Sequence, residues 1–238
     1  MRWGGLVLML AGCDRVFQLD HVPATDAPIV DATADGAAPA ALLVQQIANA
    51  NNATGLDVTL PAKPAPGNTL VVIAGAECGL SNISGGDVAT WQLAAYSGVS
   101  PTFSIFFGVT DGGSMTVHLT PQCSSKTWGL VTEWSGLAAV NALDVHANMG
   151  MSGSGSSGTI HLSVTTTSAP DLLVFGAACY GAIGNATPEW TELHEVVASA
   201  TITQRAWYQL VPSTAPYAIN VSYANEYDSG LATFRTGP

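Results

Sequence analysis

After residue 42 the chain becomes a succession of short apolar-rich runs separated by turn residues: 56–60, 69–76, 102–109, 115–120, 127–134, 158–164, 172–178, 201–210, 217–223 and 231–236. Several alternate strictly, as in Met115-Thr-Val-His-Leu119 and Ile160-His-Leu-Ser-Val164. Period-two alternation places apolar side chains on one face of a strand and polar ones on the other. No segment carries an amphipathic helical period, so the pattern predicts an all-β fold.

The pattern also repeats. Leu56-Asp-Val-Thr-Leu60, a Pro-rich turn and Asn68-Thr-Leu-Val-Val72 line up with Ile160-His-Leu-Ser-Val164, a Thr-rich turn and Asp171-Leu-Leu-Val174. Trp91-Gln-Leu93 meets Trp190-Thr-Glu-Leu193, Phe107-Gly-Val109 meets Tyr208-Gln-Leu210, and Val117-His-Leu119 meets Ile219-Asn-Val221. Trp128-Gly-Leu-Val-Thr-Glu-Trp134 meets Ser229-Gly-Leu-Ala-Thr-Phe234. Two halves of four or five strands cannot each cover an apolar face alone, whereas two such sheets pressed together bury both. The expected architecture is a single jelly-roll-like β-sandwich built from pseudo-repeats 42–140 and 141–238. Trp91, Trp128, Trp134, Trp190, Phe107 and Tyr208 then belong to the core or its edge.

The start of the chain reads differently. Met1 to Cys13 gives one basic residue, a short apolar run and Leu10-Ala11-Gly12-Cys13. The run is well short of the roughly 20 apolar residues that span a bilayer, and its grammar is that of an export signal. Leu-Ala-Gly-Cys resembles the lipobox of bacterial lipoproteins. That resemblance implies cleavage after residue 12, diacylglycerol on the Cys13 thiol, acylation of the new amino terminus and a partnership with the membrane through that anchor. From about residue 20 to 41 the chain is HVPATDAPIVDATADGAAPA and its flanks, which carry no apolar periodicity. Residues 13–41 therefore read as the lipidated Cys and a flexible tether to a domain at 42–238. The expected location is the cell envelope, outside the cytoplasm; inner and outer membrane both remain open.

Gly67-Asn-Thr-Leu-Val-Val72, Thr132-Glu-Trp-Ser-Gly-Leu137 with Ala142-Leu-Asp144, and Asp171-Leu-Leu-Val174 resemble phrases of β-sandwich domains on exported bacterial and phage surface proteins. The resemblance implies a jelly-roll or carbohydrate-module-like sandwich and transfers no catalytic residue.

Composition narrows the function. Apolar residues make up 47% and charged residues 10% of the chain, and the formal net charge is -11. Five of its acids, Asp14, Asp20, Asp26, Asp31 and Asp35, precede residue 36, and only Lys63, Lys126, Arg205 and Arg235 lie beyond the leader and tether. Phosphate backbones need a basic surface, so a nucleic-acid partner is excluded.

Cys78, Cys123 and Cys179 remain once Cys13 is set aside. In an oxidising compartment one disulfide and one buried thiol is the simplest outcome. The favoured pair is Cys78–Cys123; Cys78–Cys179 is the rival. His118, His146, His161 and His194 follow no metal spacing, so neither a metal nor any other cofactor is expected. A glycosidase would need two carboxylates in one cleft, and Glu133 with Asp144 or Asp171 are the acids inside strand phrases. Their positions suit structural hydrogen bonding better. Gly150 to Gly158 lacks the context of a phosphate cradle and reads as a loop between repeats.

The resulting expectation is a non-catalytic binding or structural module with no catalytic residue. If its ligand is a glycan, Tyr96, Trp207 and Tyr227 are the candidate stacking aromatics, because they flank turns or have polar neighbours. An envelope hydrolase and an accessory module for an envelope protein are the alternatives.

Overall fold

A computed structural model describes residues 40–151, 157–199 and 201–237, which fall within one unit, Ala37–Pro238. The leader, Cys13, the tether up to residue 39 and most of the loop between Gly150 and Gly158 lie outside the described residues. All regular structure among the described residues is β, in antiparallel sheets.

The first half forms a five-stranded sheet in the order β1 (Leu42–Ala53), β8 (Ser125–Ser135), β3 (Thr69–Ala76), β6 (Phe103–Val109), β5 (Gln92–Ser97). Over one face of it lies a three-stranded sheet, β2 (Leu56–Thr59), β7 (Thr116–Pro121), β4 (Leu80–Gly85). The second half repeats this order. Its large sheet runs β9 (Leu143–Met151), β17 (Tyr227–Arg235), β11 (Asp171–Cys179), β15 (Ile202–Val211), and β15 also carries the short edges β13 (Thr191–Glu192) and β14 (Val196–Ser199). Its small sheet is β10 (Gly158–Thr165), β16 (Pro216–Tyr223), β12 (Ile183–Ala186).

The two large sheets pack face to face, with the small sheets outside, so four layers enclose three apolar slabs. Leu56, Val58, Leu70, Val72, Val117 and Leu119 fill the slab within the first half. Ile160, Leu162, Phe175, Trp207, Ile219 and Val221 fill its counterpart in the second. Val71, Ile73, Phe103, Trp134, Val174 and Phe234 belong to the central slab. The all-β class and the two repeated halves match the sequence reading, but each half supplies two sheets where that reading assigned one. The physical reason is visible in β3, β8 and β11. β3 and β11 are buried at every position and β8 at nearly every one, and strands covered on both faces read as continuous apolar runs. The alternating runs belong to β2, β7, β10 and β16 of the outer sheets, whose inward residues are buried and outward ones are mostly exposed.

The repeat is a pseudo-twofold across the central slab. Phe107 meets Phe234 edge-on with centroids 5.3 Å apart, and Trp134 meets Tyr208 in the same manner at 5.1 Å. Phe107 corresponds to Tyr208 and Trp134 to Phe234, so these are one contact made twice.

Candidate functional site

At one side of the first half the edges of its two sheets diverge, where β4 of the small sheet faces β5 and β6 of the large one. The opening is a groove of about 320 Å³ lined by Leu80, Ser81, Asn82, Ile83, Leu93, Tyr96, Ser104, Phe106 and Gln122. Its size is at the low end of small-ligand sites. The lining mixes aromatic and aliphatic walls with two amides, two serine hydroxyls and the Tyr96 phenol, and carries no Asp, Glu, His, Lys or Arg.

Local structure fixes these groups. Tyr96 lies on β5 with 49% of its surface exposed, and Leu93 on the same strand with 51%. The phenol is turned toward the C-terminal end of the strand: a Cβ added to Gly98 would lie 2.9 Å from its hydroxyl. Phe106 is the half-buried floor. Gln122 sits in the turn after β7, where its N–H donates to the Gly79 carbonyl at 2.9 Å and its side-chain amide reaches the Leu80 carbonyl at 3.5 Å. Gly79 takes a backbone φ of +87, open to glycine and strained for other residues. Cys78 and Cys123 bracket this wall and are bonded, with sulfurs 2.16 Å apart, while Cys179 is a buried free thiol whose pKa is raised by burial.

Of the three aromatics singled out in the sequence, only Tyr96 reaches the groove. Trp207 is 2% exposed and Tyr227 4%, so neither offers a face to a ligand. Tyr227 packs on Tyr223 with centroids 4.3 Å apart. Trp207 lies against Phe175 and beneath Arg205, whose guanidinium carbon is 5.2 Å from the Trp207 ring centre. Arg205 Nε donates to Glu192 at 2.8 Å, Nη1 to the Ile183 carbonyl at 3.0 Å and Nη2 to Asn185 Oδ1 at 3.1 Å. Polar neighbours along the sequence suggested a rim position for both rings; with layers on both sides of the sheet, those neighbours are themselves covered or engaged.

The acids divide into three environments. Glu133 is buried, and its carboxylate accepts from the Gln45 side chain at 2.5 Å, the Ala65 N–H at 2.8 Å and Asn68 at 2.6 Å. It ties the turn after β2 to β1 and shares none of these bonds with another acid. Asp144 and Asp171 do come together in the second half. Burial pushes Asp144 up, but the Thr167 hydroxyl and N–H and the Arg235 guanidinium, 2.6 Å away, outweigh it and hold the carboxyl below its ordinary value. Asp171 is fully buried, and burial raises it to about 6 against the Ser168 hydroxyl bond at 2.9 Å, with the Asp144 charge adding to the rise. These contacts clamp the loop between β10 and β11 to β9 and β17.

The histidines face solvent in cross-strand pairs or alone. His118 Nδ1 is 2.5 Å from Asp57 on the neighbouring strand, and in the equivalent cross-strand pair of the second half His161 stands in the place of Asp57 and lies 2.7 Å from Asn220, in the place of His118. Among the described residues no three His, Cys, Asp or Glu side chains gather as a metal set.

Leu93, Phe106, Asn82 and Gln122 were not singled out in the sequence. The repeat blocks set Leu93 against Leu193 and so gave no signal; it is the strand register that places Leu93 opposite Phe106 as Glu192 is placed opposite Trp207. No protein-family model matches the chain, and no curated protein or solved structure matches it either.

Proposed function

We propose that this chain is an envelope lipoprotein, held to a membrane through lipid on Cys13, whose β-domain is a non-catalytic module that binds glycan in the groove of its first half. The observation that carries the reading is the groove itself. An exposed aromatic ring and an aromatic floor stand beside the free amide of Asn82 and the amide of Gln122, with no charge among the lining residues. Sugar rings present apolar C–H faces that stack on aromatic planes and hydroxyls that bond amides. The three carboxylates that a hydrolase would draw upon each have a structural task, and Glu133 accepts three hydrogen bonds.

The test uses the full-length lipidated protein in detergent against a panel of neutral, amino and acidic oligosaccharides, with product analysis of every mixture. Retention without cleavage, lost about tenfold or more in Tyr96→Ala, supports the reading. Cleavage of any oligosaccharide overturns the non-catalytic assignment, and absence of retention moves the groove to a protein partner. The anchor is tested separately, because Cys13→Ser should move the protein from the membrane to the soluble fraction; unchanged membrane association overturns it.

A further inference from the structure

The groove of the first half and the Arg205 socket of the second occupy the same place in the repeat. Strand register establishes the equivalence. Leu70 and Leu173 both face the outer slab, and their partners across β6 and β15 are Gly108 and Gln209. Counting back along those strands sets Phe106 against Trp207 and Ser104 against Arg205. Leu93 pairs with Phe106 as Glu192 pairs with Trp207. In the small sheets, Leu80 opposes Pro121 as Ile183 opposes Tyr223, and Ile83 opposes Leu119 as Ala186 opposes Val221, which sets Asn82 against Asn185.

The second half therefore displays a filled version of the site. Its occupant is a flat, donor-bearing group lying over an aromatic ring, with N–H bonds to the Ile183 carbonyl and to Asn185 Oδ1 and with Glu192 as counter-charge. In the first half the ring (Phe106) and the amide (Asn82) are kept. Ser104 stands in the place of the occupant and Leu93 in the place of the acid. The first change leaves the space open, and the second removes the counter-charge, so an entering guanidinium would be desolvated without a partner.

From this we infer that the groove takes the acetamido group of an N-acetylated amino sugar, an assignment that rests on the glycan reading above. An acetamide is planar like the guanidinium but neutral. Its N–H meets Asn82, its carbonyl meets the Gln122 amide, and its methyl lies against Leu93 and Ile83, at the position that Glu192 holds in the other half. Tyr96 at the open side is then placed for the sugar ring. The same comparison makes the second socket self-occupied, so each chain binds one such sugar residue.

The experiment is calorimetry on the full-length protein in detergent with three matched trisaccharides: N-acetylglucosamine, glucosamine and glucose. The N-acetylated trimer should bind about tenfold or more tightly than either of the others, at one per chain, in line with discrimination between substituents that leave a site's polar groups unpaired. Leu93→Glu, on an exposed edge strand, should abolish that preference while the fold is kept. Equal binding of all three trimers overturns the acetamido assignment and leaves the glycan reading standing. Binding of none of them, or of an acetyl-lysine peptide alone, overturns both. If Leu93→Glu does not fold, as judged by circular dichroism, the comparison of the three trimers on the unsubstituted protein decides.

Discussion

Phe103 and Gln204 occupy equivalent positions in the two halves, and each reaches across the central slab to the residue equivalent to the other's target. The Phe103 ring sits over Gly176, where an added Cβ would lie 2.7 Å from its Cζ, and Gln204 Nε2 donates to the Ile73 carbonyl at 3.1 Å. Ile73 and Gly176 are themselves equivalents. The halves have thus diverged in complementary steps: a ring faces a glycine on one side of the twofold, and an amide faces an isoleucine backbone on the other.

Gly176→Ala is therefore expected to destabilise the protein by about 1–3 kcal/mol, because the Phe103 ring and the Ile73 side chain both stand at 2.7 Å from the new methyl. Phe103→Leu in the same chain should recover part of that loss, giving a coupling of about 1 kcal/mol in a double-mutant cycle. Urea denaturation followed by tryptophan fluorescence measures both. Simple additivity of the two substitutions would show that the ring does not rest on Gly176.

Asp228 gives the fold a pH dependence of known sign. The residue is fully buried in the sheet that faces the first half, and its carboxyl accepts from the Ser229 N–H at 3.2 Å. Burial raises it to about 7 despite hydrogen bonding by Ser97 and by the backbone of Ser229, Val99 and Phe103. Asp171 is raised in the same way to about 6. In the unfolded chain both return to about 3.9. A raised carboxyl favours the folded state while protonated, so its contribution is complete below about pH 4 and is lost as pH rises through 6 and 7. Asp144 is lowered and has the opposite sign, but its loss falls below pH 4, outside this window. Stability should fall by a few kcal/mol between pH 5 and 8, of the order expected for shifts of two to three units. Asp228→Asn, which keeps the shape of the protonated acid, should flatten the larger part of that slope. Parallel pH profiles of the two proteins in denaturant titrations would remove Asp228 from the account.

Strands buried on both faces and strands with one solvated face were both legible, because each leaves a regular apolar pattern. The strands that the pattern missed are β1, β4, β5, β9, β12, β13 and β14. Every one lies at the edge of its sheet. β1 reads LLVQQIANANNA and β4 reads LSNISG. Such residues are poor β-formers, and the neighbouring strand and the layer opposite it hold them in place instead. Most of the candidate site lies on two of these edges, β4 and β5, and only Tyr96 among its residues was found in advance. Trp207 and Tyr227 failed for a related reason. Gln204 and Asp228, their polar neighbours in sequence, are buried, and a polar residue signals solvent only when its sheet has an open face.

Glu133 separates structural from catalytic use of a carboxylate. Its three donors, from Gln45, Ala65 and Asn68, are left without their acceptor in Glu133→Ala. Loss of hydrogen bonds to a buried charged group costs about 3 kcal/mol or more, so the midpoint of urea unfolding should drop markedly. Glycan retention measured well below that midpoint should be unchanged, because none of the groove's lining residues bonds Glu133. A variant that keeps wild-type stability but loses retention would reverse the assignment and place Glu133 at the ligand.

The Cys78–Cys123 disulfide closes a loop of 45 residues that contains β4, β5, β6 and β7, and with them every residue that lines the groove. In the chain-entropy view, a cross-link spanning such a loop stabilises the fold by about 4 kcal/mol. Its two ends lie beside Leu80 and Gln122, on the wall formed by the small sheet. The wall also has the Gln122 N–H bond to Gly79, but β4 is an edge strand paired only with β7. Reduction should therefore act on the site before it acts on the whole fold. Paired Cys78→Ser and Cys123→Ser substitutions should lower the unfolding free energy by up to about 4 kcal/mol and weaken glycan retention even where the domain remains folded. Hydrogen exchange at the β4 amides, compared with those of β12 in the half without a disulfide, measures the loosening directly. Equal protection of β4 in the oxidised and serine-substituted proteins would show that the disulfide guards overall stability and leaves the groove wall as it was.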